Sequence, residues 1–190
     1  MTVDPDTQLM VDFCGGDVAA FRRLVDRNSA VVFKLAVRYL NDPGEAEDET
    51  QDVFLRVHGS AGDYRPSAKF TTWIYRITVN VCLNRLRAAK ARPAMSLDAA
   101  GGEGDEPLLD VASDDTESPS ARLEREELDA KIREALASLG EAQRTAVLLR
   151  RFEELSYEQI AEAMETTVPA VKSLLSRARQ SLKSMLAKYL

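Results

Sequence analysis

The sequence predicts an all-α protein: two small helical domains joined by a flexible acidic linker, the second a helix-turn-helix domain. Apolar residues recur at helical spacing before residue 94 and after residue 120, and no alternating strand pattern exceeds a few residues. Between them, residues 94–120 are rich in Gly, Asp, Ser and Pro, carry eight acids and no base, and lack a helical apolar period. Beyond Leu155, a capping box, a tight turn and a basic helix follow in order. An irregular stretch that long is unusual inside one compact domain, so the boundaries fall at 1–93, 94–120 and 121–190.

The elements can be justified in order. Gly15-Gly16 is a break, and Asp17 can cap a helix with Phe21, Leu24 and Val25 on one face. A second helix carries Val32, Leu35, Ala36, Tyr39 and Leu40. Asn41-Asp42-Pro43-Gly44 is a turn. A third helix runs from about Glu45 to Val57, and a fourth starts near Thr71 with Ile74, Ile77 and Val81. Past the linker, a helix runs from about Arg122 to Ser138 and Gly140 ends it. The next covers Glu141 to Phe152. Ser156-Tyr-Glu-Gln159 opens a short helix as a capping box, and a long helix follows Glu165-Thr166-Thr167.

Composition excludes several classes. No apolar run approaches the ~18–20 residues of a membrane span. The start, MTVDPDTQLM, has acids and no basic region, which predicts no signal peptide and a cytoplasmic protein. Two cysteines, Cys14 and Cys82, read as buried thiols. One histidine, His58, and no C-x-x-C argue against a metal site, and no cofactor is expected. His58 has no nucleophile partner and reads as a helix-end residue, so no enzyme is predicted.

Charge is strongly segregated. The net value is −6, yet without residues 94–120 it is +2. Tyr64 to Pro93 holds seven bases and no acid, and Thr166 to Leu190 five bases and no acid. Two such runs in an acidic chain predict two contacts with a polyanion.

The final run carries the helix-turn-helix. Ala161 must be small where the helices cross, and Ile160, Met164, Val171, Leu174 and Leu175 supply packing. Thr167 can cap the second helix, and Pro169 fits its first turn. Ala170, Lys172, Ser173, Ser176, Arg177 and Arg179 then face outward, suited to base edges and phosphates in the major groove. The bland alternative is a three-helix bundle with a solvated basic face.

The earlier run mixes Tyr64, Phe70, Trp73 and Tyr75 with bases. Arg76, Asn80, Asn84 and Arg87 recur at spacings of four, four and three, opposite the apolar stripe. An Asn/Arg stripe beside a basic, aromatic loop suits unstacked single-stranded bases. Trp73 falls near the apolar side and reads as core. Asn41 to Asp52 holds six acids and no base; Glu45, Asp48, Glu49 and Asp52 face away from Val53 and Phe54. That face is either merely solvated or a docking surface for a basic partner.

Three stretches, DETQDVFLRVH, FTTWIYRITVNVCLNRLR and LSYEQIAEAMETTVPAVKSLLSRARQSL, lie in this order around an acidic linker. Together they resemble the extracytoplasmic-function (ECF) sigma factors of bacterial RNA polymerase. The resemblance implies that Asp48, Gln51, Asp52 and Phe54 dock on the β′ coiled coil of the polymerase core. It implies that the loop from Tyr64 to Thr72, with Phe70, and the helix bearing Arg76, Asn80, Asn84 and Arg87 bind the melted −10 strand, one base flipped into the loop. It implies that Lys172, Ser173, Ser176 and Arg177 read the −35 duplex while the same domain holds the β flap. The linker would thread toward the RNA exit path, and an anti-sigma factor would hold the protein inactive. The chain departs from the family at Pro169, Ala170 and Leu174, where Gly, Thr and Arg are common. It also has Glu165 where Gly is common, at a left-handed position. These departures bear on which −35 sequence is read.

Two rivals stand beside this reading. A ligand-sensing helix-turn-helix regulator would bind a palindromic site without polymerase. A sigma-like decoy that binds only an anti-sigma factor would lack the basic stripes.

Overall fold

A computed structural model describes residues 4–66, 69–91, 119–187 and 189. The described residues form eight α-helices and one 3₁₀ turn, with no strand among them. The helices are α1 (Pro5–Cys14), α2 (Val18–Leu40), α3 (Pro43–Gly59), α4 (Phe70–Ala91), α5 (Pro119–Ser138), α6 (Glu141–Arg151), α7 (Tyr157–Ala163) and α8 (Val168–Leu186). They divide into two compact units, one of α1–α4 and one of α5, α6, most of α7 and α8. The all-α, two-unit prediction holds. Residues 94–118, most of the acidic linker, lie outside the described residues.

Local chemistry sets the helix ends of the first unit. Asp4, Asp17 and Asp42 each accept a hydrogen bond from the first-turn backbone of α1, α2 and α3, satisfying N–H groups that have no helical partner. Gly16 takes φ +104, where a side chain would be strained, so α1 stops and α2 restarts within three residues. Asn41 ends α2 at φ 58, a left-handed position that asparagine tolerates.

The structure revises three expectations in the chain's first half. α1 was not expected; Asp4, Pro5 and the buried Met10 build it ahead of the Gly15-Gly16 break. The two helices expected between Asp17 and Asn41 are one. Leu24, Asn28, Val32, Leu35, Ala36 and Tyr39 are all buried at continuous helical phase, and nothing between them breaks the backbone. Cys14 is exposed rather than buried, because it lies at the end of α1, whereas Cys82 is buried in α4.

The first core joins Met10, Leu24, Val32, Val53, Phe54, Val57, Phe70, Ile74 and Val81 from all four helices. Asp6 ties α1 to α2, accepting from Arg27 Nε at 2.6 Å. His58, near the end of α3, packs between the rings of Phe13 and Phe21, with centroids 5.2 Å from each.

In the second unit the capping box forms in both directions. Ser156 N donates to Gln159 Oε1 at 2.8 Å, and Gln159 N donates to Ser156 Oγ at 3.2 Å. Thr167 Oγ1 accepts from Ala170 N, and Pro169 lies in the first turn of α8. Glu165 adopts φ 50, the left-handed turn expected there. Ala161 is buried, and Ile160 and Val171 are fully buried. Gly140 differs from expectation. Its φ of −59 and ψ of 146 make it the N-cap of α6, not a left-handed stop for α5.

Candidate nucleic-acid interface

α8 presents the outer half of the helix-turn-helix. Val171 and Ala178 are buried on its inner side. Lys172, Ser176, Arg177 and Arg179 are exposed, and Ala170 and Ser173 half-buried. Arg177 is held: its Nη2 and Nε donate to Ser173 Oγ at 2.8 and 3.3 Å, one turn back. Lys172 is held differently, its ammonium 5.9 Å from the centroid of the Tyr157 ring, which Arg150 also approaches at 5.3 Å. The backbone N–H at the start of α7 and the Ser156 hydroxyl hold the Glu158 carboxyl below its usual range, and the charge of Lys172 adds to this. Sequence reasoning missed Tyr157 and Arg150. Their signal was present in a ring two residues after the hydrophobic turn and a cation one helix earlier, but only the fold brings them together.

A second feature of this unit is a groove of about 1010 Å³ lined by Val147, Tyr157, Leu175, Arg179, Leu182 and Leu186, among others. Arg179 therefore borders both the outer face of α8 and the groove.

In the first unit, Asn80, Asn84 and Arg87 are exposed along α4 and Arg76 is half-exposed, while Ile74, Thr78, Val81 and Cys82 are buried on the other side. Tyr64, Phe70 and Thr72, placed in the same interface by the resemblance, are instead buried. Tyr64, Phe70 and Trp73 form one ring cluster with centroids 5.1–6.4 Å apart. Trp73 is half-buried against the core, as its phase predicts. Burial pushes the Tyr64 hydroxyl above its ordinary pKa, more than its hydrogen bond with Thr7 lowers it.

Not every base in the acid-free run faces outward. Arg85 Nη2 pairs with Glu45 at 2.7 Å, and its Nε lies 3.8 Å from Glu49. The acidic face of α3 is thus divided. Glu45 and Glu49 face α4, and burial raises Glu49 above the usual carboxylate range against the pull of Arg85. Asp52 pairs with Arg56 at 2.8 Å. Asp48 and Gln51 are exposed, Asp52 half-buried and Phe54 buried. Leu55, absent from the predicted surface, is 70% exposed and follows Asp48 and Gln51 at i+7 and i+4. It edges a groove between α2 and α3 of about 620 Å³, with Phe21, Phe33, Phe54 and His58. Its signal was an apolar residue out of phase with the Val53–Val57 stripe.

Among the described residues, no group of three or more His, Cys, Asp or Glu could hold a metal ion. None of the described helices is long and apolar enough to cross a membrane.

Comparisons place these features in a family. Residues 24–92 match Sigma-70 region 2, and residues 129–182 match Sigma-70, region 4. The chain is 37% identical to the RNA polymerase sigma-H factor of Pseudomonas aeruginosa, covering 98% of this chain and 96% of that one. It is 35% identical to the ECF RNA polymerase sigma-E factor of Escherichia coli K12, covering 88% and 86%. The ECF RNA polymerase sigma factor SigW of Bacillus subtilis is 30% identical, over 90% and 91%. In fold it is similar to CnrH, solved in complex with the cytosolic domain of CnrY, at TM-score 0.69 and 24% identity over 97% and 99% of the two chains. It is also similar to RpoE of Bartonella quintana, solved with the anti-sigma factor NepR, at TM-score 0.65 and 19% identity over 90% and 98%. With regions 2 and 4 both matched and its relatives aligned almost end to end, the chain belongs to the ECF branch of the sigma-70 family: it is a non-enzymatic RNA polymerase sigma factor that directs promoter-specific initiation.

Proposed function

We propose the following division of labour. Half-exposed Arg76 and exposed Asn80, Asn84 and Arg87 of α4 contact the melted −10 strand together with the loop from Tyr64 to Thr72, in which Tyr64, Phe70 and Thr72 are buried. Lys172, Ser173, Ser176 and Arg177 of α8, flanked by Ala170 and Arg179, read the −35 duplex. Asp48, Gln51 and Asp52 of α3, backed by Phe54, dock on the β′ coiled coil of core polymerase. The region 4 unit also meets the β flap. Domain limits of 1–93 and 121–190 with linker 94–120 complete the scheme.

The observation that carries it is the sidedness of α4: the Asn/Arg stripe faces solvent along the helix while its other side is core. Amides and guanidinium groups on a rigid helix can hydrogen-bond base edges once the strand is unpaired. Such contacts favour the melted state only through affinity for it over the duplex. The protein acts in the cytoplasm, where polymerase is, with no cofactor of its own. An anti-sigma factor holds it inactive, a reading supported by one fold neighbour solved in a complex of that kind.

The test is run-off transcription with purified core polymerase on a promoter library, followed by Asn80→Ala with Asn84→Ala. We expect wild-type chain to select two-element promoters. The double variant should keep −35 duplex binding but lose open-complex formation at least roughly tenfold, equivalent to about one lost hydrogen bond to a base. Undiminished melting by the variant removes the α4 stripe from the mechanism.

A further inference from the structure

α1 contributes no residue to either proposed DNA face, yet it grips the segment leading into α4 at both ends. At the near end, the exposed Cys14 S–H donates to the Ala61 carbonyl at 3.1 Å. At the far end, Phe70 N donates to Thr7 Oγ1 at 3.0 Å, across 63 residues of chain. Phe70 is the first residue of α4, so its N–H has no partner within the helix. Both groups are buried, Thr7 at 5% exposure and Phe70 at 0%. Thr7 therefore caps a helix from a different element.

The Thr7 hydroxyl bonds in both directions. It donates to Asp4 Oδ2 at 3.0 Å, and Asp4 Oδ2 also accepts from Thr7 N at 3.1 Å. It meets the Tyr64 hydroxyl as well. A hydroxyl offers one proton and two lone pairs. The Asp4 carboxylate can only accept and the Phe70 N–H can only donate, so these two take the hydroxyl's proton and one of its lone pairs. One oxygen thus joins the start of α1 to the first turn of α4, beside the Tyr64 hydroxyl. The Asp6–Arg27 pair anchors α1 to α2 independently, so the clamp is braced from behind.

We infer that Thr7 is a positioning residue for −10 recognition: it sets the spacing between Tyr64 and the first turn of α4, and so the shape offered to an unpaired base. This rests on the assignment of the α4 stripe and its loop to the −10 strand. Thr7 itself touches no DNA.

The test uses holoenzyme assembled from core polymerase and the full chain as wild type, Thr7→Val, Thr7→Cys and Thr7→Ser. The probe is a fluorescent single strand bearing the −10 sequence selected by wild type, and the same strand with its most strongly preferred base replaced. Thr7→Val keeps the volume and removes every hydrogen bond of the hydroxyl. It should reduce the ratio of the two affinities roughly tenfold, the order of one buried N–H left unsatisfied. Thr7→Ser should restore the ratio, Thr7→Cys should fall between, and −35 duplex affinity should not change. If Thr7→Val proves unfolded by circular dichroism, Thr7→Cys against Thr7→Ser carries the comparison. A wild-type ratio well above one that all variants share overturns the positioning role alone. A wild type that ignores the replaced base overturns the −10 assignment, and the role of Thr7 with it.

Discussion

Ser173 and Arg177 show how a single side chain prepares a recognition surface. A free arginine loses rotamer entropy when it meets a base; here the Ser173 hydroxyl already holds the guanidinium one turn along the exposed face. Ser173→Ala should weaken −35 binding by about 1 kcal/mol, a typical net hydrogen bond, without altering stability. Fluorescence anisotropy on duplex DNA checks this, and unchanged affinity would show that the bond is lost in the complex. Glu49 makes a different point. Burial raises its folded pKa, so the native state holds its proton to higher pH than the unfolded chain does. Its sign is therefore opposite to that of an ordinary paired carboxylate. Stability from this group is greatest below the unfolded value of about 4.5 and falls as pH rises through the raised folded value. Glu49→Gln should flatten that part of the urea-midpoint profile relative to wild type; identical profiles would refute it.

Among elements, the helix ends were the most legible part of the sequence, because capping is local chemistry. Asp17, the Ser156–Gln159 box and Thr167 all cap as their positions predict. Ser156→Ala should cost ~1 kcal/mol, seen as a lower urea midpoint with the m-value unchanged. Two elements were misread for reasons of range. Gly140 looks like a stop in a window that ends with α5, but its backbone belongs to the start of α6. The acids of α3 look equally exposed by phase, yet Arg85 from α4 claims Glu45 and Glu49. A helical wheel places a residue relative to its own axis and says nothing of the helix that packs beside it.

At the scale of the whole molecule, the proposed scheme gives three jobs to surfaces that do not share residues. Arg87 of α4 and Lys172, Arg177 and Arg179 of α8 are exposed, and Glu47 and Gln51 of α3 line an apolar groove. Leu55 edges that groove, and we propose it as part of the third surface. At 70% exposure it contributes little to folding, so Leu55→Ala should leave the unfolding midpoint within about 0.5 kcal/mol of wild type. We expect it to weaken core polymerase binding by at least roughly 1–2 kcal/mol, as a truncated apolar anchor at an interface does. Equal affinity in a titration with labelled core would exclude Leu55 from the docking surface.

The sequence by itself determined the class of fold, the helix-turn-helix, the charge segregation and the family. These depend on periodicity, capping and composition, all of which act within a few turns of chain. Only the tertiary structure decided which outward residues are free. It withdrew Arg85 into an ion pair, buried Tyr64, Phe70 and Thr72, and seated Lys172 over Tyr157. It also showed Thr7 capping a helix 63 residues away. A polar group taken from water needs a partner and an apolar ring needs a core, and both are supplied by which helices pack together rather than by distance along the chain.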